Sequence, residues 1–560
     1  MVGGTIEKEW TPSSSCELFQ KGEKMRTQGL GTSSFSKRSW LIVIFFLAAC
    51  LLALPRPDPS LALEPKYGGT LRVTISEDPR TMDPHQETDA NTPYVICNTY
   101  NSLLRWNEQM TEMELDLAES WKRIDDLTYI FKLHQGVRFH DIPPVNGREL
   151  TSEDVKYSLI RITGKYGIKE KFKQAYFFED RLASISTPDK YTVVIKTKEP
   201  YAPLVHYLAS PWCAIVPKEA VDKFGDLSEH PIGTGPFTLA EYMKGSHILL
   251  TKNPNYFKKG LPYLDKVHMK IVNNPTTILM SFIAGNLDQA GVLYFHLDTL
   301  KRKCPEAVVI RSRTLYTGVL RGPAWCDDMP LKPPFDQKKV RQAIAMAIDK
   351  PRLLKLGWGG YGTVQVGPVP NWPPYSLTEE DQVEYNPAKA KKLLAEAGYP
   401  NGFTVELLTF NNMALTAPAQ AAQAMLKEVG IQTDLKILEF AQYFSRAWKF
   451  DYQMAYHMMT AGFDPEEYLV PYFGDCKKAT YYKWTNKEIH RMIEEQRKIM
   501  NPEKRAALIR QIQRKIIEDA PNVFLYSLDG FRAFKPYVYP KKIHINPYQP
   551  IVAEDIWLDK

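Results

Sequence analysis

The chain has 560 residues, more than one domain's worth. Hydrophobic residues make up 44% and charged residues 24%, ordinary for a soluble globular protein. The net charge of +7 is mild and no block of like charge stands out, so nothing points to nucleic acid as a partner.

At the N-terminus, Lys37-Arg38 precedes an apolar run from Leu41 to Leu54. The run is short for a spanning helix and the right size for a signal-peptide core. Ser60 and Ala62 place small residues at −3 and −1 of a cut after Ala62, so residues 1–62 read as signal peptide and upstream extension. Met25 is a second candidate start. Leu47-Ala48-Ala49-Cys50 offers a competing reading, a lipobox with lipid on Cys50. Either way the folded body lies outside the cytoplasm. No later apolar run is long enough to span a bilayer, which excludes a channel or permease. Five cysteines follow Ala62: Cys97, Cys213, Cys304, Cys326 and Cys476. None has metal spacing. Cys304 and Cys326 are a candidate bridge in an oxidising compartment, and buried free thiols are expected for most of the five.

Tyr67 to Ile75 alternates as a strand after Gly68-Gly69. Asp78-Pro79 and Asp83-Pro84-His85 form the next loop, and Tyr94 to Leu104 reads as helix. In Ala118 to His140, Leu127, Tyr129, Phe131 and Leu133 alternate with Thr128, Ile130, Lys132 and His134. That is a strand with one buried face. Gln135-Gly136 breaks it, and Thr151 with Asp154 fits a capping box. Thr192 to Thr197 is a further strand. His230 to Phe237 carries glycine and proline spacing that dictates a tight turn, framework rather than chemistry. Thr277 to Phe282 reads as helix, ahead of a turn at Ala284 to Asp288. Val340, Ala343, Ile344, Ala347 and Ile348 form the apolar stripe of a helix that Asp336 is expected to cap. Arg341 on it defaults to a solvated face, with pairing to a carboxylate as the alternative. Gly357 to Gly362 lacks the strand and helix of a dinucleotide loop. Asn386-Pro387 opens a helix that Gly398 ends. Strand Phe403 to Leu408, helix Ala417 to Val429 and strand Ile431 to Leu438 imply an α/β lobe. Asp451 to Tyr456 is a strand, Glu503 to Ala520 a long helix and Val523 to Tyr526 a short buried strand. There is no HExxH, P-loop, GxSxG or zinc spacing, so no enzyme is expected.

The order of these pieces carries a resemblance. A-E-S-W, D-D-L-T-Y-x-F-x-L, G-V-x-F-H-D and N-G-R-E-L-T-x-E-D-V, then H-P-I-G-T-G-P-F and P-P-F-D-x-x-x-V-R-Q-A-I, resemble family 5 extracellular solute-binding proteins, the peptide/nickel/opine group that feeds ABC importers. The resemblance runs from about Tyr67 to near the C-terminus. It implies an α/β, periplasmic binding protein type II-like fold: two lobes closing on a cleft like a Venus flytrap, with an additional inserted subdomain, three-lobed in all. Residues 63–108, 229–312 and 531–560 would form lobe I, 109–228 the inserted subdomain and 313–530 lobe II. The implied function is capture of an extracytoplasmic solute and its delivery to an ABC permease in the inner membrane. A short peptide comes first. A non-peptide solute (opine, oligosaccharide or metal chelate) or a periplasmic chaperone or sensor accessory role are alternatives. A monomer without cofactor, in the periplasm or at the outer face of the membrane, is expected.

Loops that face the cleft in relatives correspond here to Thr88, Tyr94, Trp358, Tyr361, Tyr456, Met459, Thr460 and Phe463. Aromatic and Met side chains suit an adaptable, partly apolar pocket, and packing is the alternative for each. In peptide-binding relatives an Asp in the loop aligned with Thr460 to Asp464 grips the ligand's α-ammonium. Gly462 stands at that place. Either Asp464 does this work from a shifted loop or the ligand has no ammonium. The alternative role for Asp464 is the N-cap of the helix from Glu466. His457 is the only histidine beside that loop, so no metal is expected.

Overall fold

The computed structural model describes residues 64–86, 89–164, 172, 175–178, 181–459, 462–476, 481–546 and 548–560. Residues 1–62, expected to be signal peptide and upstream extension, with Cys50, and Thr88 and Thr460 lie outside the described residues. The described fold is that of Pro65–Lys560, one of two compact units. None of its helices is long and apolar enough to cross a membrane.

Three sheets carry the fold. The first runs in the order Thr70–Ile75, Lys266–Ile271, His247–Lys252, Phe237–Met243. Its first pair is parallel and the others antiparallel. Leu71, Val73 and Ile75 alternate inward, as their period of two requires, and join Val267 and Met269 in one core. The second sheet is the antiparallel set Ala118–Arg123, Thr128–Leu133, Thr192–Thr197 and Leu182–Asp189. Tyr129, Phe131 and Leu133 are its buried face. Gly136 turns the chain at φ +74°. The Thr151/Asp154 capping box forms, with Arg148 clamping the Asp154 carboxylate at 2.9 and 2.6 Å.

The third sheet has seven strands. Its main order is Gln289–Val292, Asn522–Phe534, Val308–Arg321, Met454–Met459, Phe403–Phe410 and Ile431–Leu438, and Gly362–Val364 adds to Asn522–Phe534. The expected strand at Val523 to Tyr526 is thus the start of a 13-residue one. It runs antiparallel along the 14-residue strand Val308–Arg321. Their register breaks between Arg313 and Thr317, opposite Asp529 and Ser527, so one strand carries two more residues than the other there.

Other expectations need correction. The helix placed at Tyr94 to Leu104 is Thr92–Thr99, and Leu104–Trp106 turns into a strand paired with Met113–Leu115. Asp336 does not cap the next long helix. Gln337 stands at the N-cap of Lys338–Met346, with no side-chain cap bond. Arg341 is not solvated. It is buried against Asp519 at 2.9 Å and donates to the Phe335 carbonyl, because the helix Pro502–Asp519 ends beside it. Cys304 does not bridge to Cys326. The disulfide joins Cys326 to Cys476, with Cα atoms 6.2 Å apart, and Cys304 is a buried free thiol.

Gly233 and Gly235 show why the His230 to Phe237 turn is glycine-rich. A Cβ on either would run into the backbone of Thr99. The Gly235 N–H donates to Thr99 O at 3.0 Å, so two chain segments cross at van der Waals contact. The largest buried cluster joins the second sheet to Phe463, Tyr468, Trp484 and Ile493, far along the chain.

Candidate functional site

A cavity of about 330 Å³ opens where the first and third sheets meet. Arg72 joins the two sheets: its N–H donates to Asp288 Oδ2 at 2.7 Å, and its carbonyl accepts from Asp288 N–H at 2.9 Å. Beyond that link the strands Thr70–Ile75 and Gln289–Val292 flank the cavity. Alternate residues of a parallel strand bond to opposite neighbours, so Thr74 presents its peptide groups to the same edge as Arg72. The remaining wall comes from Asn91 and Tyr94, from Thr314 and Tyr316 at the register break, from Gly530 to Arg532, and from the C-terminal stretch around His544.

The polar groups on this wall are few and specific. Asn91 Oδ1 accepts from Ser76 Oγ at 2.9 Å. Gln289 is buried, and its Oε1 has no partner among the described residues. His544 Nδ1 is likewise buried without one, and burial lowers this ring's pKa to about 4, so it is neutral. Burial, and then the neighbouring Tyr94, raise the Tyr316 hydroxyl to about 12. Arg532 donates from Nη1 to Pro550 O at 2.6 Å. No Asp or Glu side chain lines the cavity among the described residues.

Of the residues singled out in the sequence, Tyr94 lines this cavity. Tyr361 sits behind the wall, its ring 5.1 Å from that of Phe531. Trp358 packs on Tyr294 with ring centroids 5.6 Å apart. Tyr456 and Met459 are fully buried core side chains, and the Tyr456 hydroxyl bonds that of Tyr526. Phe463 is buried near Tyr548. These positions were reached through loop resemblance. The wall residues Asn91, Gln289, Tyr316, Arg532 and His544 were missed. For Gln289, Tyr316 and Arg532 the one signal is a polar side chain on an otherwise apolar strand, as Arg532 is between Phe531 and Ala533, and Asn91 and His544 lie off the strands.

Asp464 takes the cap role. It opens the short helix Pro465–Tyr468, accepting from Glu466 N–H at 2.8 Å. Its carboxylate is fully buried and clamped by Arg505 at 2.8 and 2.6 Å, with His206 Nδ1 at 2.7 Å. Burial alone would raise its pKa. The Arg505 charge and His206 outweigh that and hold it well below the carboxylate range. Glu466 beside it receives the hydroxyls of Tyr201 and Tyr207 at 3.1 and 2.8 Å and Arg497 Nε at 2.6 Å. Glu467 accepts the N–H groups of Gly462, Phe463 and Asp464, so this loop folds onto its own helix.

Comparison with known proteins fits this architecture. The model of the bacterial extracellular solute-binding proteins, family 5 (middle), matches residues 112–480. The glutathione-binding protein GsiB of Pectobacterium atrosepticum is 29% identical over 373 residues, 66% of this chain and 69% of that protein. Heme-binding protein A of Haemophilus influenzae is 29% identical over 476 residues, 78% of this chain and 83% of its own. Among solved structures, the periplasmic binding protein DppA of Helicobacter pylori, in complex with the peptide STSA, superposes with a TM-score of 0.75 at 26% identity. It covers 88% of this chain and 99% of its own. AgaA of A. tumefaciens R10, in complex with agropinic acid, gives 0.73 at 26% identity over the same shares. The match spans more than half of the chain and the relatives cover most of the fold: this chain belongs to the family 5 bacterial extracellular solute-binding proteins.

Proposed function

We propose that the protein captures a small solute outside the cytoplasm by closing two lobes over the cavity, then presents it to an ABC permease. The observation that carries this is the position of the cavity. It lies between the first and third sheets, at the register break of the two long strands of the third, Val308–Arg321 and Asn522–Phe534. A register break interrupts the ladder and bends the strand pair, and this reading places the pivot there. On this reading residues 63–108, 229–312 and 531–560 are lobe I and 313–530 lobe II, with 109–228 inserted. Export by the N-terminal segment places the protein in the periplasm or, through Cys50, on the membrane's outer face, and it acts as a monomer.

A peptide-like solute is the first candidate. DppA is solved with a peptide and GsiB is named for glutathione, and the Thr74 edge can pair with an extended main chain. The engagement of Asp464 with Arg505 favours a second reading, a solute without a free ammonium.

Small-angle X-ray scattering on the mature protein, freed of bound solute by unfolding and refolding, tests the closure. Adding back the solute released on unfolding is expected to reduce the radius of gyration and raise the melting temperature. A released solute that rebinds without compaction would sink lobe closure.

A further inference from the structure

We infer that the cavity reads its solute through an acidic group, and that Arg532, with Tyr94, Tyr316 and Asn91 around it, is what receives that acid. The inference rests on the solute-binding reading above and narrows it to a chemical class.

The argument is a balance of charges and donors. The wall carries one guanidinium and, among the described residues, no carboxylate. Asp89, next to the wall, is spent on its own loop: it accepts the N–H groups of Asn91 and Thr92 at 2.7 and 2.9 Å and the Thr92 hydroxyl. Asp464 is fully buried and paired with Arg505. A solute ammonium brought into this wall would be desolvated with no carboxylate of the wall to receive it, a penalty. A carboxylate would find the reverse. Arg532 commits Nη1 to Pro550 O, and its fork has further N–H groups to give. The Tyr94 and Tyr316 hydroxyls and the Asn91 amide also line the wall, and Asn91 holds its oxygen toward Ser76, leaving its NH2 to donate. Gln289 Oε1 adds an acceptor without a partner, suited to an N–H or O–H of the same solute. Gly291 faces Arg532 across the strand pair, and a Cβ there would meet open space, so bare backbone leaves room beside the guanidinium. A volume of about 330 Å³ is near the lower end of ligand pockets, roughly 300–1,000 Å³, which favours a solute of dipeptide size.

Three probes of one size separate the possibilities: N-acetyl-Ala-Ala, with an acid and no ammonium; Ala-Ala-amide, with an ammonium and no acid; and Ala-Ala, with both. Their affinities for the solute-free mature protein are measured by calorimetry at millimolar probe. N-acetyl-Ala-Ala is expected to bind at least as well as Ala-Ala, and Ala-Ala-amide more than tenfold more weakly. Arg532→Gln is expected to weaken N-acetyl-Ala-Ala by about ten- to a hundredfold, the range for one charge-assisted hydrogen bond. Arg532 also holds Pro550, so Tyr94→Phe is the milder control and should weaken the same probe severalfold with an unchanged melting temperature. Glu87, which lies outside the described residues, is checked by Glu87→Gln, which should leave the order of the probes intact. Ala-Ala-amide binding as tightly as the acid, or an acid affinity indifferent to both Arg532→Gln and Tyr94→Phe, overturns the inference while leaving solute binding in place. Binding of none of the three also overturns it. Native mass spectrometry of protein purified from its host then shows whether the broader reading survives, by the presence or absence of a retained small molecule.

Discussion

At the residue scale, two histidines show how burial dictates protonation. His140 accepts from Gly233 N–H at Nδ1, 3.3 Å away, and donates from Nε2 to Gly235 O at 3.1 Å. His85 has Arg161 Nη1 at 2.8 Å from Nδ1 and Ala214 O at 2.9 Å from Nε2. Each ring needs one bare nitrogen and one N–H, so only the neutral Nε2–H tautomer satisfies both partners. Burial lowers the pKa of His140 to about 4, and burial with the Arg161 charge lowers that of His85 to about 3. An unfolded histidine takes up its proton near 6.5. The folded pKa is therefore depressed. The stability these rings contribute is complete above about pH 6.5 and is lost as pH falls towards 4 and below, on the order of 3 kcal/mol for His140 by pH 4. Long-range ¹⁵N spectra at pH 5.5 should show both rings neutral with the proton on Nε2. A titration midpoint near 6.5 for either would contradict this assignment.

Much at the scale of elements was legible in the sequence, because the signals are local. Thr151 with Asp154, Asn386 before Pro387, and the alternation through Tyr129, Phe131 and Leu133 each need only a few neighbouring residues. What failed is what depends on distant partners. Asp464 reads as a cap from sequence, but Arg505, which takes its charge, stands 41 residues away. The cavity wall is gathered from strands and loops between Val73 and Ile551, and no spacing rule connects them. Cysteine pairing is the same problem. The bridge closes over a separation of 150 residues, between Cys326 beside Trp325 and Cys476 after the Val470–Phe473 helix. Here the loop length gives the prediction. Closing so long a loop restricts the unfolded chain strongly, and losing a native bridge of this kind costs about 2–5 kcal/mol. Cys326→Ser with Cys476→Ser should lower the urea midpoint accordingly, while Cys304→Ser should leave the bridge intact by thiol counting under denaturing conditions. An unchanged midpoint in the double variant would mean that the bridge does not stabilise the fold by restricting the unfolded chain.

For the whole molecule, the question is whether residues 109–228, proposed as an inserted subdomain, are a separate body. Its sheet is complete within Ala118–Thr197 and would pass for a domain by topology alone. Its core is not complete. Phe131, Leu150, Val193 and Leu204 belong to one buried cluster with Phe463, Tyr468, Ile489 and Ile493 of the chain's second half. Polar groups cross the same boundary. Tyr201 and Tyr207 donate to Glu466, a carboxylate that is 1% exposed, and Ala202 N–H donates to the carbonyl of Arg497 at 2.8 Å. Separating the two parts would expose that apolar face, costing several kcal/mol, and would take two hydroxyl donors from Glu466, which keeps Arg497. The segment and the second half therefore share one core, which also takes in Ile96, Leu103, Leu104 and Ile232. Residues 109–228 expressed alone should lack a cooperative thermal transition and bind a hydrophobic dye. In the full chain, Glu466→Leu, which leaves Arg497 without its buried partner, should lower the melting temperature by the equivalent of about 3–5 kcal/mol. A cooperative transition for the isolated segment would instead make the subdomain autonomous and free to move as a third lobe.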